Sequence, residues 1–442
     1  MRAWGAALGT ALVSFAGCGD EQAVVVDVSV QADGDRLCLA VFGDGEVVFE
    51  RAYRGETGNP PGGTLTLVAG DRVNARVRVS GWLDRGGQIV ARGSGETGFG
   101  ALDSVHLALP VRRCHEVGAG SVPALRSLGT FEPAPGAALA AADVDGDGRD
   151  ELLLAAADGT VAVIDAEAGG STRTLDVALP AGALPVAEAS LGDDCFVDVL
   201  FASAAGAVVL RSPGSDAESQ PALPPAARSV GIGRFEDGTS IAIAGAAGLA
   251  VVAWPSGDAT MLDAGAWRSV AVADITRDGF SDLIASGDGG AAVWLGSGAG
   301  PSRVAGALPA SFGGVTGPVA TGDLDGDAAL DVVGAAGTEV RVSRNRGDGL
   351  LEDRTGLAPP ASAAGLEALL LADFDGDCRD DLVMLDADGA VAVFRSGDDL
   401  TLVPVAVGVE AAAAISGADV NGDHLRELAI LTRTGEVLVW ER

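Results

Sequence analysis

Residues 143–152 read DVDGDGRDEL, and three other stretches repeat the pattern: DLDGDAALDV from Asp323, DFDGDCRDDL from Asp373 and DVNGDHLREL from Asp419. A looser copy, DITRDGFSDL, starts at Asp274. Each copy places oxygen side chains at loop positions 1, 3, 5 and 9, and an apolar run then begins. Acidic residues or Asn at positions 1, 3 and 5 of a tight turn point oxygens inward. Position 7 can add its backbone carbonyl, and the acid at position 9 closes the shell. Hard oxygen donors in a flexible cage suit Ca2+ and fit the smaller octahedral Mg2+ poorly. Without an ion, the carboxylates of one such turn repel each other.

A second marker gives the period. A Gly turn followed by an alternating apolar strand occurs at Gly159, Gly206, Gly248, Gly289, Gly337, Gly389 and Gly435. Glycine in such turns adopts φ > 0 without a Cβ clash. Each unit reads as strand A, acidic loop, strand B, Gly turn, strand C, a longer link and strand D. In the first unit, A is near Ala137–Ala142, B is 152–157, C is 161–165 and D is near 173–178. Units of roughly 45 residues with four strands each predict propeller blades. Seven units predict an all-β, seven-bladed β-propeller over 116–442. The last unit ends just after strand C. The unassigned stretch 121–131 is therefore expected to supply the outer strand of the last blade and remove an open edge.

The spacing D-x-[DN]-G-D-x-x-x-[DE]-[LV] resembles the FG-GAP, or VCBS, repeat known from the propeller of integrin α subunits and from bacterial exported proteins. The closing acid at position 9 and the flanking strands separate it from an EF-hand, which closes at position 12 between helices. The resemblance covers 116–442 and implies that the A–B loop binds Ca2+. The implied ligands are Asp143, Asp145, Asp147 and Glu151; Asp323, Asp325, Asp327 and Asp331; Asp373, Asp375, Asp377 and Asp381; and Asp419, Asn421, Asp423 and Glu427. The copy with Asp274, Thr276, Asp278 and Asp282 has Thr at position 3 and is expected to bind more weakly. Unit two keeps only Ser190, Gly192, Asp194 and Asp198, and unit three only the stretch around Glu236 and Asp237. Both are expected to be empty. The ion's main expected role is to stiffen the blades.

The N-terminus adds a different module. Arg2 and the short apolar segment after it fit a signal peptide over 1–17, too short for a stable membrane helix. Phe15-Ala16-Gly17-Cys18 resembles a bacterial lipobox, which implies lipidation of Cys18; an ordinary cleaved signal is the alternative. Gly19 after Cys18 points to an outer-membrane address, on the periplasmic or the surface side. Residues 18–22 form a tether. Over 23–115, seven alternating runs separated by Gly-, Asp- and Pro-rich turns predict a small β-sandwich. Export permits disulfides, and Cys38 with Cys114 brackets this module and is the expected pair. Cys195 and Cys378 have no assigned pairing.

Composition excludes some functions. The formal net charge is −33, with 29 basic side chains, all Arg. Nucleic acid requires a basic footprint and is excluded. Catalytic signals are sparse: three His, one Tyr, no Lys and no G-x-S-x-G. The Gly296–Gly300 stretch precedes Pro301 rather than a helix, so it is not a phosphate loop. His106 and His115 read as structural, and His424 as an exposed loop residue. Arg346-Gly347-Asp348 matches a cell-adhesion tripeptide but reads as the ordinary turn after strand C. Trp254, Trp294, Phe394 and Trp440 sit near equivalent ends of strand C and read as blade packing, or otherwise as a ligand platform. The expected protein is a lipid-anchored, Ca2+-binding, non-enzymatic envelope protein for binding or adhesion, whose partner is a protein or glycan. A lectin-like propeller is the first alternative, and a carbohydrate-active enzyme such as a polysaccharide lyase is the second.

Overall fold

A computed structural model describes residues 8–14, 23–30, 36–43, 46–54, 63–68, 76–85, 88–98, 104–109 and 124–131. It also describes 138–441 apart from 146, 157–158, 167–168, 176–183, 190–197, 204–205, 212–216, 221–226, 237, 255, 348–349, 355–364, 398–399, 410 and 424. The described chain is almost entirely strand, with one short 3-10 turn at Ala310–Gly314.

The N-terminal module contains β1 (Leu8–Ser14), β2 (Ala23–Val30), β3 (Arg36–Gly43), β4 (Glu46–Arg54), β5 (Gly63–Val68), β6 (Arg76–Arg85), β7 (Gln88–Gly98) and β8 (Ser104–Leu109). The seven runs read from the sequence correspond to β2–β8. Together with β1 they form two four-stranded sheets, ordered β1-β5-β2-β8 and β4-β3-β6-β7, and β8 packs against β6 and β7. The segment read as a leader is strand β1 here, paired in parallel with β5. An apolar segment beside an unpaired strand edge satisfies that edge's hydrogen bonds. Cys38 is buried on β3 and disulfide-bonded. Cys114, its expected partner, lies outside the described residues, as do Cys18, Cys195, His115 and His424.

Seven four-stranded antiparallel sheets follow. Blade 1 is β10 (Ala138–Ala142), β11 (Glu151–Ala155), β12 (Val161–Asp165) and β13 (Ser171–Leu175). Blade 2 is β14 (Leu184–Ala189), β15 (Asp198–Ser203), β16 (Gly206–Arg211) and β17 (Ala217–Gln220). Blade 3 is β18 (Ala227–Arg234), β19 (Thr239–Gly245), β20 (Gly248–Ala253) and β21 (Ala259–Asp263). Blade 4 is β22 (Trp267–Ala273), β23 (Asp282–Gly287), β24 (Gly290–Leu295) and β25 (Ser302–Val304). Blade 5 is β26 (Val319–Gly322), β27 (Asp331–Ala336), β28 (Glu339–Asn345) and β29 (Leu351–Asp353). Blade 6 is β30 (Leu366–Ala372), β31 (Asp381–Asp386), β32 (Val391–Ser396) and β33 (Leu402–Val405). Blade 7 is β34 (Ala412–Ala418), β35 (Glu427–Thr432) and β36 (Glu436–Glu441), completed on its outer edge by β9 (Ala124–Thr130).

The first strand of each blade touches the first strand of the next, and β34 touches β10, so the ring is closed. Sequence explains the layering. Second strands such as LLLA in β11, SIAIAG in β19 and ELAILT in β35 read as continuous apolar runs and are buried along nearly their whole length. Strands covered on both faces need no polar alternation, and here each blade is covered by its two neighbours. Outer strands such as β21 are largely exposed. Aromatics are few, so the inter-blade layers are built from Val, Leu, Ile and Ala. The layer between blades 3 and 4 adds an edge-to-face pair, Trp267 with Trp294, at 5.2 Å. The turn read at Gly289 is shifted by one residue: Gly290 has φ 94, and a Cβ there would lie 2.5 Å from the Gly313 carbonyl oxygen.

Candidate metal-binding loops

Each acidic loop connects the first and second strands of its blade, and its hydrogen bonds follow one scheme. Position 2 is an apolar plug: Val144, Ile275, Leu324, Phe374 and Val420 are all buried. Their N–H groups donate to the closing acid at position 9: Val144 to Glu151, Ile275 to Asp282, Leu324 to Asp331, Phe374 to Asp381 and Val420 to Glu427, at 2.9–3.2 Å. The acid at position 1 accepts from the turn it opens. Asp143 takes the N–H groups of Asp147 and Gly148, and Asp373 takes those of Gly376 and Cys378. Where position 9 is Asp, its second oxygen accepts from the end of the third strand: Asp282 from Gly296, Asp331 from Asn345 and Asp381 from Ser396.

Three loops bring carboxylate oxygens together. Asp143, Asp145 and Glu151 form one group, Asp323, Asp325 and Asp331 a second, and Asp373, Asp375 and Asp381 a third; within each group the ligand atoms lie within 4.8 Å. These are positions 1, 3 and 9 of each loop. Burial, then the neighbouring Asp145 and Asp143, pushes Glu151 up to about 9. Burial is also the leading cause at Asp331 and Asp381, each pushed up to about 8, with the other loop carboxylates adding to it. Crowded acids that resist ionisation are stabilised by a divalent cation, and the all-oxygen donor set fits a hard one. The residues present therefore fit a metal ion.

Position 5 departs from the resemblance. Asp147, Asp327 and Asp377 do not join the carboxylate groups. Each instead accepts the N–H of position 7, from Arg149, Ala329 and Arg379 respectively. Asp278 and Asp423 do the same with Phe280 and Leu425. A short Asp side chain two residues before an N–H closes an Asx turn; position 3 closes the same kind of turn, Asp145 accepting from Asp147, Asp325 from Asp327 and Asp375 from Asp377, and still joins its group. In the loop from Asp419, Asn421 donates to Glu427 at 3.0 Å, and burial with Asp423 raises Glu427 to about 8. In the loop from Asp274, Thr276 hydrogen-bonds Asp282, which burial raises only to about 6. Ser190, Gly192, Asp194 and Asp237 lie outside the described residues; Asp198 is buried and Glu236 is exposed.

Position 8, not singled out in the sequence, ties neighbouring blades together. Asp150 donates its N–H to the Asp419 carbonyl at 2.7 Å, and its carboxylate accepts the Asp419 N–H at 2.8 Å. Asp380 makes the same pair of bonds with Asp323, at 2.6 and 2.8 Å. Ser281 makes them with Arg234, at 2.7 and 3.0 Å. The junction between blades 4 and 5 uses the buried Asn345 instead, which donates to the Ile275 carbonyl at 2.7 Å. The arginines at position 7 lie over a neighbouring glycine: Arg149 over Gly422 and Arg379 over Gly326. Cys378, at position 6 of its loop with φ 69, is disulfide-bonded.

Residues 274–334 and 323–384 match the model of the FG-GAP-like repeat. A search of curated proteins finds no match to this sequence. Among solved structures, virginiamycin B lyase from Staphylococcus aureus aligns with a TM-score of 0.51 at 13% identity, over 73% of this chain and 100% of that one. The extracellular domain of a one-component system from B. thetaiotaomicron aligns with a TM-score of 0.49 at 13% identity, over 72% of this chain and 40% of that one. At such identity the likeness to the lyase bears on the fold alone.

Proposed function

We propose that this chain, an all-β propeller carrying FG-GAP-like repeats, is an exported, lipid-anchored, non-enzymatic binding protein of the cell envelope whose blades are stiffened by Ca2+. The observation that carries the reading is the convergence of positions 1, 3 and 9 into three partly buried carboxylate groups. The ligands are Asp143, Asp145 and Glu151; Asp323, Asp325 and Asp331; and Asp373, Asp375 and Asp381. Asp419, Asn421 and Glu427 form a fourth, less acidic site. The loop from Asp274 lacks a position-3 carboxylate and is the weakest. The ion supplies charge neutralisation and no reaction chemistry.

A protein or glycan partner, bound as in adhesion, fits a stiff, acidic scaffold. A glycan platform built on the strand-C aromatics is disfavoured, because Trp294, Phe394 and Trp440 are buried between blades. Adhesion through the RGD tripeptide is disfavoured too, because Arg346 is ion-paired with Glu352; Asp348 lies outside the described residues. An enzymatic role lacks an obvious base, with three His, one Tyr and no Lys in the chain.

Calorimetric titration of chelator-stripped protein with CaCl2 tests the cation reading. About four ions are expected, with Kd of about 10⁻⁴–10⁻³ M, and Asp373→Asn with Asp381→Asn removes one of them. No heat and no shift in Tm on adding CaCl2 would sink it. The anchor has its own test. Intact mass of the membrane-fraction protein should show a chain starting at a diacylated Cys18, and Cys18→Ser should release it. Cleavage there removes β1 and leaves β5 at the edge of its sheet.

A further inference from the structure

The three carboxylate groups share a feature that the two lesser loops lack: an arginine at the position-3 acid. Arg344 Nε lies 2.5 Å from Asp325, and Arg395 Nε lies 3.4 Å from Asp375. Both arginines occupy the same place on the third strand of their blade. Each follows the residue paired with the start of the second strand, Ser343 opposite Val332 and Phe394 opposite Leu382. In blade 4 the register puts Leu295 there, where position 3 is Thr276. In blade 7 it puts Glu441 there, where position 3 is Asn421, and Glu441 is itself paired with Arg126. Among the described residues, then, an Asp at position 3 accompanies an arginine, and where position 3 is neutral the third strand puts no arginine at that place.

Blade 1 follows the rule by another route. Position 3 is Asp145, but the register puts Asp165 at the arginine's place. The arginine comes from the N-terminal module. Arg78 on β6 donates to the Asp145 carbonyl at 2.5 Å, and its guanidinium lies 4.0 Å from the Asp145 carboxylate. Arg344 and Arg395 can swing away from their loops by side-chain rotation within their own blade. Arg78 sits on a strand paired on both sides, opposite Phe42 of β3 and Glu96 of β7, so it moves with its module.

We infer that the blade-1 loop is a cation-sensitive joint: Arg78 and a divalent cation draw on the same Asp145, so cation binding there loosens the N-terminal module from the propeller. This rests on the reading of the loops as cation sites. Two positive centres on one carboxylate repel, and linkage makes the effect reciprocal, so docking of the module also weakens cation binding.

The test uses the full chain, CaCl2 as the probe, and two readouts: calcium titration and the radius of gyration from small-angle X-ray scattering. CaCl2 should expand the wild-type particle. Arg78→Gln should already be expanded without CaCl2, should change little on adding it, and should bind one ion about fivefold or more tightly. Arg344→Gln should tighten one ion without altering the radius. Asp145→Arg, made from the propeller side, sets a like charge against Arg78, should expand the particle without CaCl2 and covers the case in which Arg78→Gln does not fold. If the wild type takes up no calcium, the cation reading itself fails. If it takes up calcium while its radius stays constant, or while Arg78→Gln leaves both readouts unchanged, the joint is overturned and the cation reading stands.

Discussion

Between about pH 5 and about pH 9 the cation-free protein loses stability as pH rises, and the gain in Tm on adding CaCl2 grows over the same interval. The closing acids set both trends. Burial, then neighbouring carboxylates, pushes Glu151 to about 9 and Asp331, Asp381 and Glu427 to about 8, against ordinary values of 3.8 for Asp and 4.5 for Glu. In that window the folded chain holds protons that the unfolded chain has released. Stability supplied by these protonated acids is complete below the ordinary carboxylate range and is lost as pH climbs through the raised values. A bound cation needs the ionised form, so its binding expels those protons and its apparent affinity rises with pH. Blade 4 provides an internal contrast, because Asp282 is raised only to about 6 and should contribute nothing to the trend above neutrality. Thermal melts in EDTA and in millimolar CaCl2 across the pH series decide the matter. A cation-free Tm that stays flat or rises from neutrality to pH 9 contradicts it.

Much of the architecture was legible because propeller blades repeat. The Gly turns and acidic loops marked one unit each, and the strands bounded by them lie close to where the repeats place them, with β10, β11 and β12 in blade 1 as the example. The site was legible only at positions whose chemistry announces itself. Positions 1, 3 and 9 converge in the three all-acidic loops, whereas position 5 stays outside the groups and, in blades 5 and 6, pairs with Arg344 and Arg379, which residue type alone does not reveal. Position 2 carries no polar signal, yet its buried side chain anchors the loop and its N–H orients the closing acid. Position 8 did carry a signal, since Asp150, Ser281 and Asp380 are polar, but its partner lies in another blade, which a within-unit reading does not reach. Arg78 is the extreme case. Its partner, Asp145, belongs to a different module, and nothing local to β6 points to it.

Asp150→Ala should be among the most destabilising polar substitutions in the propeller, and Asp150→Asn should be far milder. The alanine removes the acceptor of the Asp419 N–H at a buried position, which costs about 1–3 kcal/mol when a donor is left unsatisfied. The amide keeps an oxygen in place and preserves the bond. Asp380→Ala removes the same bond between blades 5 and 6 and should cost a similar amount, and the two effects should add because the junctions share no partner. Their consequences for opening should differ. Blades 5 and 6 are consecutive in the chain, whereas blades 7 and 1 are not, and β9, the Asp150–Asp419 pair and a shared apolar layer hold them together. Losing that pair leaves the apolar layer shared by Leu139, Leu152, Val420 and Leu431 to hold this junction, so local opening there becomes easier than at junctions within the continuous chain. Hydrogen exchange in Asp150→Ala should therefore quicken first in β9, β10 and β34, by about tenfold for each 1.4 kcal/mol lost. In Asp380→Ala those strands should keep their protection. Equal exchange profiles in the two variants would show that the 7–1 junction is no weaker than the others. An unchanged Tm in Asp150→Ala would remove the pair from any role in holding the ring shut.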